Sequence, residues 1–286
     1  MCKIKSFPDL EAFAEFNKKL FEQNYFVYYY FQSALQNIFT SNGSIDVYDF
    51  FNLSTKNDCD DIICLFYEGN YIIMGNYWDS EILECLIKRI DFSRFHTRFH
   101  FSGKTSLLVD LFNQIKMPYK IYKDREIMEC KETNDIKLVD KGGKFKVATM
   151  SHLPQLIKML IDYYATEWHG DLVMSKERAK NTLQRTISRE KVFIWEKQGK
   201  VLSMASIINE NKLSPIIGGL YTPMENRNNR YATNLLTEIS KRQLASKMQA
   251  CCLISDKTNN ITSKIFQKIG YLPIYEWTTF EINSPN

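Results

Sequence analysis

The chain has 286 residues, a formal net charge of +4, 44% hydrophobic residues and 24% charged residues. These fractions are typical of a globular protein and exclude a disordered chain. The length predicts two domains, because a single core rarely grows beyond about 250–300 residues. Seven scattered cysteines without a Cys-x-x-Cys pair argue against a disulfide framework or zinc knuckle. They favour a reducing cytoplasm.

Charged and aromatic residues are unevenly distributed along the chain. Residues 1–140 carry 16 basic and 21 acidic side chains, whereas residues 141–286 carry 21 basic and 12 acidic ones. The first part also holds 26 of the 39 aromatic residues, so we expect the halves to do different work. Neither contains a Lys/Arg cluster long enough to follow a nucleic-acid backbone, an apolar run of about 18 residues or a signal-peptide core. We therefore expect no nucleic-acid partner and no membrane insertion.

In the first half, apolar spacing predicts helices, one hairpin and a long extended segment. The predicted helices cover 10–20, 26–39, 81–90 and 105–115, the hairpin 62–75 and the extended segment 119–130. The charged stretch 131–144 contains Gly142-Gly143 and is the predicted linker. It places the domains at 1–140 and 141–286.

The second half predicts a regular alternation of strands and helices. The elements are a strand at 145–148, a helix capped by Ser151, a helix at 176–187, a hairpin at 192–208, a strand at 212–222, a helix at 231–247, a strand at 250–255, a helix at 259–269 and a strand at 275–281. The order β-α-α-β-β-β-α-β-α-β predicts an α/β fold with a mixed sheet and helices on both faces.

The most informative stretch runs from Ile216 to Ala232. It comprises an apolar strand, a turn at Pro223, a polar loop with Arg227 and Arg230, and the start of a helix. The N–H groups and positive dipole end of such a helix attract anions. A solvated loop between a strand and a helix is the alternative interpretation.

This stretch resembles the coenzyme A pyrophosphate loop of the GNAT acetyltransferase superfamily, whose pattern is Gln/Arg-x-x-Gly-x-Gly/Ala. Arg227 and Ala232 match its ends, whereas Asn228 and Arg230 stand where glycines are usual. Asn tolerates left-handed backbone geometry. Arg places a side chain where the backbone approaches phosphate, so it either clashes or swings outward and adds a charge-assisted contact.

A second block, from Leu253 to Tyr271, resembles the other signature of the family: a strand, Asn259, and a helix that ends at Gly270. Two blocks in the right order make the resemblance specific over about residues 145–282. Residues 1–140 more faintly resemble the degenerate GNAT-like leading half of tandem members, without a phosphate loop. The resemblance thus implies a GNAT-like C-terminal domain preceded by a second, degenerate one.

The resemblance implies an acetyl-CoA-dependent N-acetyltransferase that acts on a primary amine of a small molecule or peptide, as a monomer or homodimer. Backbone N–H groups of the fourth strand, about 220–222, would stabilise the oxyanion. The implied coenzyme A-binding residues are Leu220, Tyr221, Thr222, Arg227, Asn228, Asn229, Arg230, Tyr231, Ala232, Thr233, Asn259 and Phe266.

Phe266 stands at the place of a family tyrosine that often protonates the leaving thiolate. Such an acid typically contributes about 10²–10⁴-fold. Three outcomes stay open. Water, Ser263 or Tyr271 replaces the tyrosine as the proton donor; or the chemistry is slow; or the chain binds an acyl-CoA without turning it over. The alternative functions are accordingly a non-catalytic acyl-CoA-binding module and a tandem transferase of an aminoacyl or longer acyl group.

No general base can be named from the sequence. Glu167, His169 and Asp171 lie where the family places acceptor-side residues, although a solvated loop is the favoured interpretation.

Other motifs predict no further site. Gly103-Lys104-Thr105 resembles the end of a nucleotide-binding loop but lacks its first glycine, and His96 and His100 lack a third metal ligand. We therefore expect no metal. Cys251 and Cys252 lie in a predicted buried strand and are interpreted as small hydrophobic residues.

Overall fold

The structure is a computed structural model that describes residues 2–54, 62–92, 99–136, 142–168, 170, 172–209 and 214–282. The chain divides into two compact units. Unit 1 comprises Met1–Ile127, Asp256–Thr258 and Ile274–Asn286, and unit 2 comprises Met128–Ser255 and Asn259–Pro273. The predicted linker lies partly outside the described residues, so the boundary between residues 140 and 141 stays a prediction.

The two halves of the chain repeat one order of elements. The first half contains β1 (Lys3–Ser6), α1 (Leu10–Gln23), α2 (Tyr29–Thr40), β2 (Val47–Ser54), β3 (Ile62–Tyr67), β4 (Asn70–Met74), α3 (Ser80–Arg89), β5 (Phe99–Lys104), α4 (Thr105–Ile115) and β6 (Tyr119–Cys130). The second contains β7 (Lys144–Val147), α5 (Leu153–Glu167), α6 (Lys176–Ser188), β8 (Val192–Lys197), β9 (Lys200–Ile207), β10 (Ile217–Tyr221), α7 (Tyr231–Ala245), β11 (Cys251–Asp256), α8 (Asn260–Ile269) and β12 (Leu272–Ile282). The predicted order β-α-α-β-β-β-α-β-α-β is confirmed for the second half and also describes the first.

The strands of unit 1 have the order β1-β2-β3-β4-β5-β12-β6 in their sheet. From β1 to β12, neighbouring strands are antiparallel except for β4 and β5, which run parallel. These two pair at four positions, from Asn70 with His100 to Ile73 with Gly103. The core contains stacked rings contributed by adjacent strands: Phe66 stacks on Tyr71, and Tyr71 on Phe101. On its other edge β5 pairs with β12, the last strand among the described residues.

The sheet of unit 2 has the order β10-β9-β8-β7, and all its pairs are antiparallel. One core cluster brings α7 and α8 against it, and a second brings α5 and α6. Strand β11 contacts the residue just before β10 through one parallel bridge, between Ile216 and Cys252. The mixed arrangement of strands and helices confirms the predicted α/β fold class.

Several element boundaries differ from the prediction for local reasons. Thr149, not Ser151, begins the helical region, because the Thr149 side chain and the His152 ring form a reciprocal capping box. Strand β10 begins at Ile217, whereas the predicted start at residue 212 lies outside the described residues and the described residues 214–216 precede the strand. Pro215 precedes it, and proline has no N–H to give to a sheet.

Three strands of unit 1 were not predicted, namely β1, β2 and β5. Strand β1 is exposed along its whole length, so no apolar alternation marks it. Strand β5 joins α4 directly at Lys104 and Thr105, without the turn residues that usually separate two elements.

Candidate active site

The loop that follows β10 is held in shape by its own side chains. A single 3-10 turn covers Met224–Asn226. Arg227 Nε donates to the carbonyl of Thr222 at 3.1 Å. Asn229 Nδ2 donates to the carbonyls of Asn226 and Arg227, at 3.2 and 3.0 Å. The loop therefore reaches α7 in a fixed conformation.

Asn228 and Arg230 both adopt left-handed backbone geometry, each with φ 62°. These are the two positions at which the sequence resemblance expects glycine. Left-handed geometry is costly for residues with a Cβ, and less so for Asn than for Arg. The loop thus keeps the backbone course that glycine would favour, and the Arg230 side chain is exposed to solvent.

The first turn of α7 directs backbone donors toward this loop. Arg230 is the N-cap residue and makes no side-chain capping hydrogen bond. The first N–H groups of a helix have no partner within the helix, and they carry the positive end of its dipole. The side chains of Tyr231 and Thr233 are buried. The backbone N–H groups of Ala232 and Thr233 lie in this first turn and can serve an anion beside Arg227 and Arg230.

Strands β10 and β11 separate after a single point of contact. Among the described residues, they are bridged at Ile216 and Cys252, and β10 continues to Tyr221 without further pairing on that side. Gly219 has φ 62°, and the pairing of β10 with β9 shifts register between Gly218 and Tyr221. The edge of β10 that holds 219–221 therefore has backbone groups available to a ligand.

Leu220, Tyr221 and Thr222 lie along this edge in different surroundings. Leu220 packs against the cluster beneath α7 and α8, and Tyr221 against the cluster of α5 and α6. Thr222 donates through Oγ1 to Ser203 Oγ at 2.9 Å, and the Ser203 hydroxyl donates to the Tyr221 carbonyl at 3.1 Å. These bonds fix the end of the strand.

Tyr221 lies near charged side chains whose proximity was not predicted from the sequence. Burial, followed by the carboxylate of Asp162 on α5, raises the pKa of Tyr221, whereas Arg227 lowers it through its charge and a hydrogen bond. Glu225 adds a further negative charge nearby. Asp162 lies on a helix whose pattern shows only its core face, so no sequence signal marked it.

Helix α8 positions the residues of the second sequence block. Asn259 caps it by accepting a hydrogen bond from the Thr262 N–H at 3.3 Å. The Phe266 ring is buried, with its centroid 6.3 Å from that of Tyr271. One turn earlier, Ser263 lies with its Oγ 3.1 Å from Ser255 Oγ. Phe266 therefore presents no proton, and Ser263 is the nearest hydroxyl along α8.

Tyr271 does not fit the role of substitute acid that the sequence allowed. Its side chain is fully buried, and its hydroxyl lies 2.7 Å from Ser240 Oγ. Burial raises the pKa of Tyr271 well above the ordinary value. The hydroxyl thus belongs to the core between α7 and α8.

The remaining predicted residues are placed as follows. Glu167 is the last residue of α5, and His169 and Asp171 lie outside the described residues. Cys251 and Cys252 are fully buried, and burial raises the pKa of the Cys251 thiol to about 12. Both cysteines are therefore core residues, as predicted. Within the described ranges, no helix is both long and apolar enough to cross a membrane.

Solved structures share this architecture. An acetyltransferase of the GNAT family from Colwellia psychrerythraea matches with a TM-score of 0.59 and 12% identity, over 98% of this chain and 100% of its own. A GCN5-related N-acetyltransferase from Sphaerobacter thermophilus matches with a TM-score of 0.57 and 12% identity, over 86% and 84%. A third, from Kribbella flavida, has a TM-score of 0.51 and 10% identity, over 89% and 94%. No family model matches the chain, and no curated protein resembles it in sequence.

The fold is therefore that of the GNAT acetyltransferases. The likeness extends over nearly the whole chain, so the fold prediction, including a GNAT-like first half, is confirmed.

Proposed function

We propose that this protein is an acyltransferase that transfers an acetyl group from acetyl-CoA to a primary amine of a small molecule or peptide. The observation that carries the proposal is the separation of β10 from β11 beside the uncapped start of α7. An unpaired strand edge next to an anion-binding helix end suits a ligand with a phosphate head and an extended amide-containing arm.

The residues of unit 2 fit coenzyme A at both ends. The backbone N–H groups of Ala232 and Thr233 and the exposed charges of Arg227 and Arg230 would hold the pyrophosphate. The β10 edge at Leu220–Thr222 would pair with the arm and direct N–H groups at the carbonyl oxygen as negative charge develops there. Acetyl-CoA would supply the thioester whose acetyl group moves to the acceptor.

The acceptor side favours an amine. Asp162 and Glu225 place negative charge around Tyr221, at the end of the same strand edge. A carboxylate at this place would attract an ammonium group and orient it, and the amine must lose a proton before it can react. Asp162 is therefore the proposed acceptor-binding residue.

Proton delivery to the departing thiolate would come from water or from Ser263, since Phe266 has no acidic group and Tyr271 is committed to the core. The absence of an acidic group on Phe266 also supports a second candidate function. A chain with phenylalanine at this position could bind an acyl-CoA without turning it over. Transfer of an aminoacyl or longer acyl group by the same fold is the third candidate.

Calorimetry with acetyl-CoA, followed by thiol release over a panel of primary amines, separates these functions. The enzyme predicts both binding and thiol release, whereas the binding module predicts binding alone. Absence of binding at millimolar acetyl-CoA would overturn both. A different acyl group on a co-purified thioester, detected by mass spectrometry, would favour the third candidate.

Charge reversal tests the proposed phosphate site. Arg230→Glu should weaken coenzyme A binding by about tenfold or more, because it removes one charge-assisted contact and adds a repulsive one. Arg185→Glu, at an exposed arginine on α6, is the matched control and should bind normally. Equal affinities for the two variants would contradict the assignment.

We further propose that the protein works in the cytoplasm as a monomer or homodimer, without a nucleic-acid partner.

A further inference from the structure

Helix α6 carries two arginines on an outward face that lines an open groove. The buried side of the helix is narrow and consists of Ala179, Leu183 and Ile187, which recur every four residues. The groove has a volume of about 500 Å³. Its lining residues are Ser175, Glu177, Arg178, Asn181, Thr182 and Arg185.

The two arginines of this groove lack the carboxylate partners that surface cations have on other helices. Those partners stand three or four residues before the cation: Glu15 before Lys18 on α1, Glu84 before Lys88 on α3 and Glu238 before Arg242 on α7. The corresponding residues before Arg185 are Asn181 and Thr182, which are neutral. Within the described ranges, the guanidinium groups of Arg178 and Arg185 form no ion pair and no hydrogen bond. Their charges are therefore open to an anionic partner.

The spacing of the polar residues on α6 matches the repeat of another helix. Arg178, Asn181, Thr182 and Arg185 share one face, because they lie three, four and seven residues apart. Seven residues span about 10.5 Å along a helix axis. Two carboxylates seven residues apart on a second helix would therefore reach both arginines, and the amide and hydroxyl between them can donate further hydrogen bonds.

Exposed apolar side chains lie directly before α6. Leu172 is 36% exposed and Val173 is 80% exposed. Ser175, two residues after Val173, is the N-cap of α6 and lines the groove. Apolar surface beside arginines without partners is typical of a contact with another protein rather than of a site for a small anion.

We propose that the outward face of α6 binds an acidic, amphipathic helix of another protein. Two carboxylates of that helix, seven residues apart, pair with Arg178 and Arg185, and an apolar residue contacts Val173. A nucleic acid fits less well, since α6 has four basic residues and one acidic residue, and its net charge of +3 is too small to follow a phosphate backbone. The surface is separate from the coenzyme A site proposed at α7 and does not depend on it.

A labelled, alanine-rich peptide of about 20 residues is a suitable probe, because this length allows a helix to form in isolation. It carries glutamates seven residues apart and one leucine a turn before the first glutamate. Fluorescence anisotropy with the full chain at low salt should detect binding. The same peptide with glutamine in place of glutamate should bind about tenfold more weakly. Addition of about 0.5 M salt should have a similar effect.

Variants of the groove test which charges are used. Arg178→Gln and Arg185→Gln should each weaken binding of the glutamate peptide by about threefold, and together by about tenfold. Glu177→Gln should strengthen it by about twofold, because it removes the negative charge from the groove. Lys158→Gln, at an exposed lysine of α5 outside the groove, is the control and should bind the peptide normally.

Binding of the glutamate peptide that is lost in the double arginine variant and kept in Lys158→Gln would support the proposal. Failure to bind the glutamate peptide at millimolar concentration would overturn it, and so would equal affinity for the glutamine peptide. Equal losses in the double variant and in Lys158→Gln would also overturn it, since they would mean unspecific attraction to positive charge. A single-stranded oligonucleotide or pyrophosphate that displaces the glutamate peptide at concentrations below the peptide's own Kd would assign the groove to a phosphate ligand instead.

Discussion

Gly103 on β5 lies directly against the carbonyl oxygen of Ile73 on β4, so closely that a Cβ at residue 103 would overlap that oxygen. Gly103 also has φ 147°, in the region that favours glycine. This contact closes the parallel pair in unit 1. The corresponding strands of unit 2, β10 and β11, meet only at the Ile216–Cys252 bridge within the described ranges. We therefore expect the arm of the proposed coenzyme A ligand to enter between strands in unit 2 and not between β4 and β5.

Replacement of Gly103 tests how tightly unit 1 is closed. Gly103→Ala should lower the free energy of unfolding by about 3 kcal/mol, because the new methyl group meets backbone that cannot move aside cheaply. Urea denaturation measures the loss. Gly69→Ala is the control, since Gly69 has φ 73° but open space around it, and it should cost only about 1 kcal/mol. Equal losses would mean that β4 and β5 are not held together as described.

The two left-handed residues of the loop should respond differently to glycine. Arg230→Gly should raise the free energy of unfolding by about 0.5–1 kcal/mol, because it removes the cost of a Cβ at φ 62°. Asn228→Gly should have almost no effect, since Asn tolerates this geometry. Arg230→Ala keeps a Cβ and should show no gain. A larger gain at Asn228 than at Arg230, measured by denaturation, would contradict the backbone geometry.

A hydroxyl added at Phe266 tests the source of the proton. If water or Ser263 now protonates the thiolate, Phe266→Tyr should raise kcat by about tenfold or more. Acetyl-CoA affinity should stay the same, because the ring is kept. Tyr271→Phe is the control: it breaks the contact with Ser240 and should cost about 1 kcal/mol of stability without changing kcat. A fall in kcat for Tyr271→Phe would restore it as the acid.

The buried carboxylate of Glu196 on β8 makes stability depend on pH. It accepts hydrogen bonds from Lys146 Nζ at 2.8 Å and from the His152 ring at 3.0 Å. The hydrogen bond from Lys146, followed by that from His152, lowers the pKa of Glu196 from 4.5 to about 2. Because the pKa of Glu196 in the folded state lies below its ordinary value, the ionised carboxylate stabilises the folded protein fully above about pH 4.5. This stabilisation is lost as the pH falls toward about 2.

Glu196→Gln should therefore lower the free energy of unfolding by about 2 kcal/mol at pH 7. The difference from the unaltered protein should shrink steadily between pH 4.5 and pH 2. Glu190→Gln, at an exposed carboxylate of the same unit, should show neither effect. A constant difference across that pH range would show that Glu196 does not titrate as described.

The sequence predicted those parts of the fold whose residues act locally. Asn259 caps α8 and Gly270 ends it with φ 117°, and both functions depend on neighbours only a few residues away. The pairing of β12 with β5 could not be predicted in this way. It joins residues such as Ser102 and Thr279, whose hydroxyls lie 2.9 Å apart although 177 positions separate them. No local pattern specifies which strand fills that place in the sheet.

The candidate site also has a part that the sequence predicted locally and a part that depends on distant residues. The loop of Arg227 and Arg230 was marked by its residue types and by the helix that follows. The separation of β10 from β11 depends on where two distant strands stop pairing, and Asp162 comes near Tyr221 only through the packing of α5. These features required the three-dimensional structure.

A crystal structure with acetyl-CoA tests the central claim most directly. The proposal predicts one molecule bound in unit 2, with its pyrophosphate at the start of α7 beside Arg230 and its thioester at the β10 edge near Tyr221. Acetyl-CoA bound in unit 1, or no bound acetyl-CoA at millimolar concentration, would contradict it.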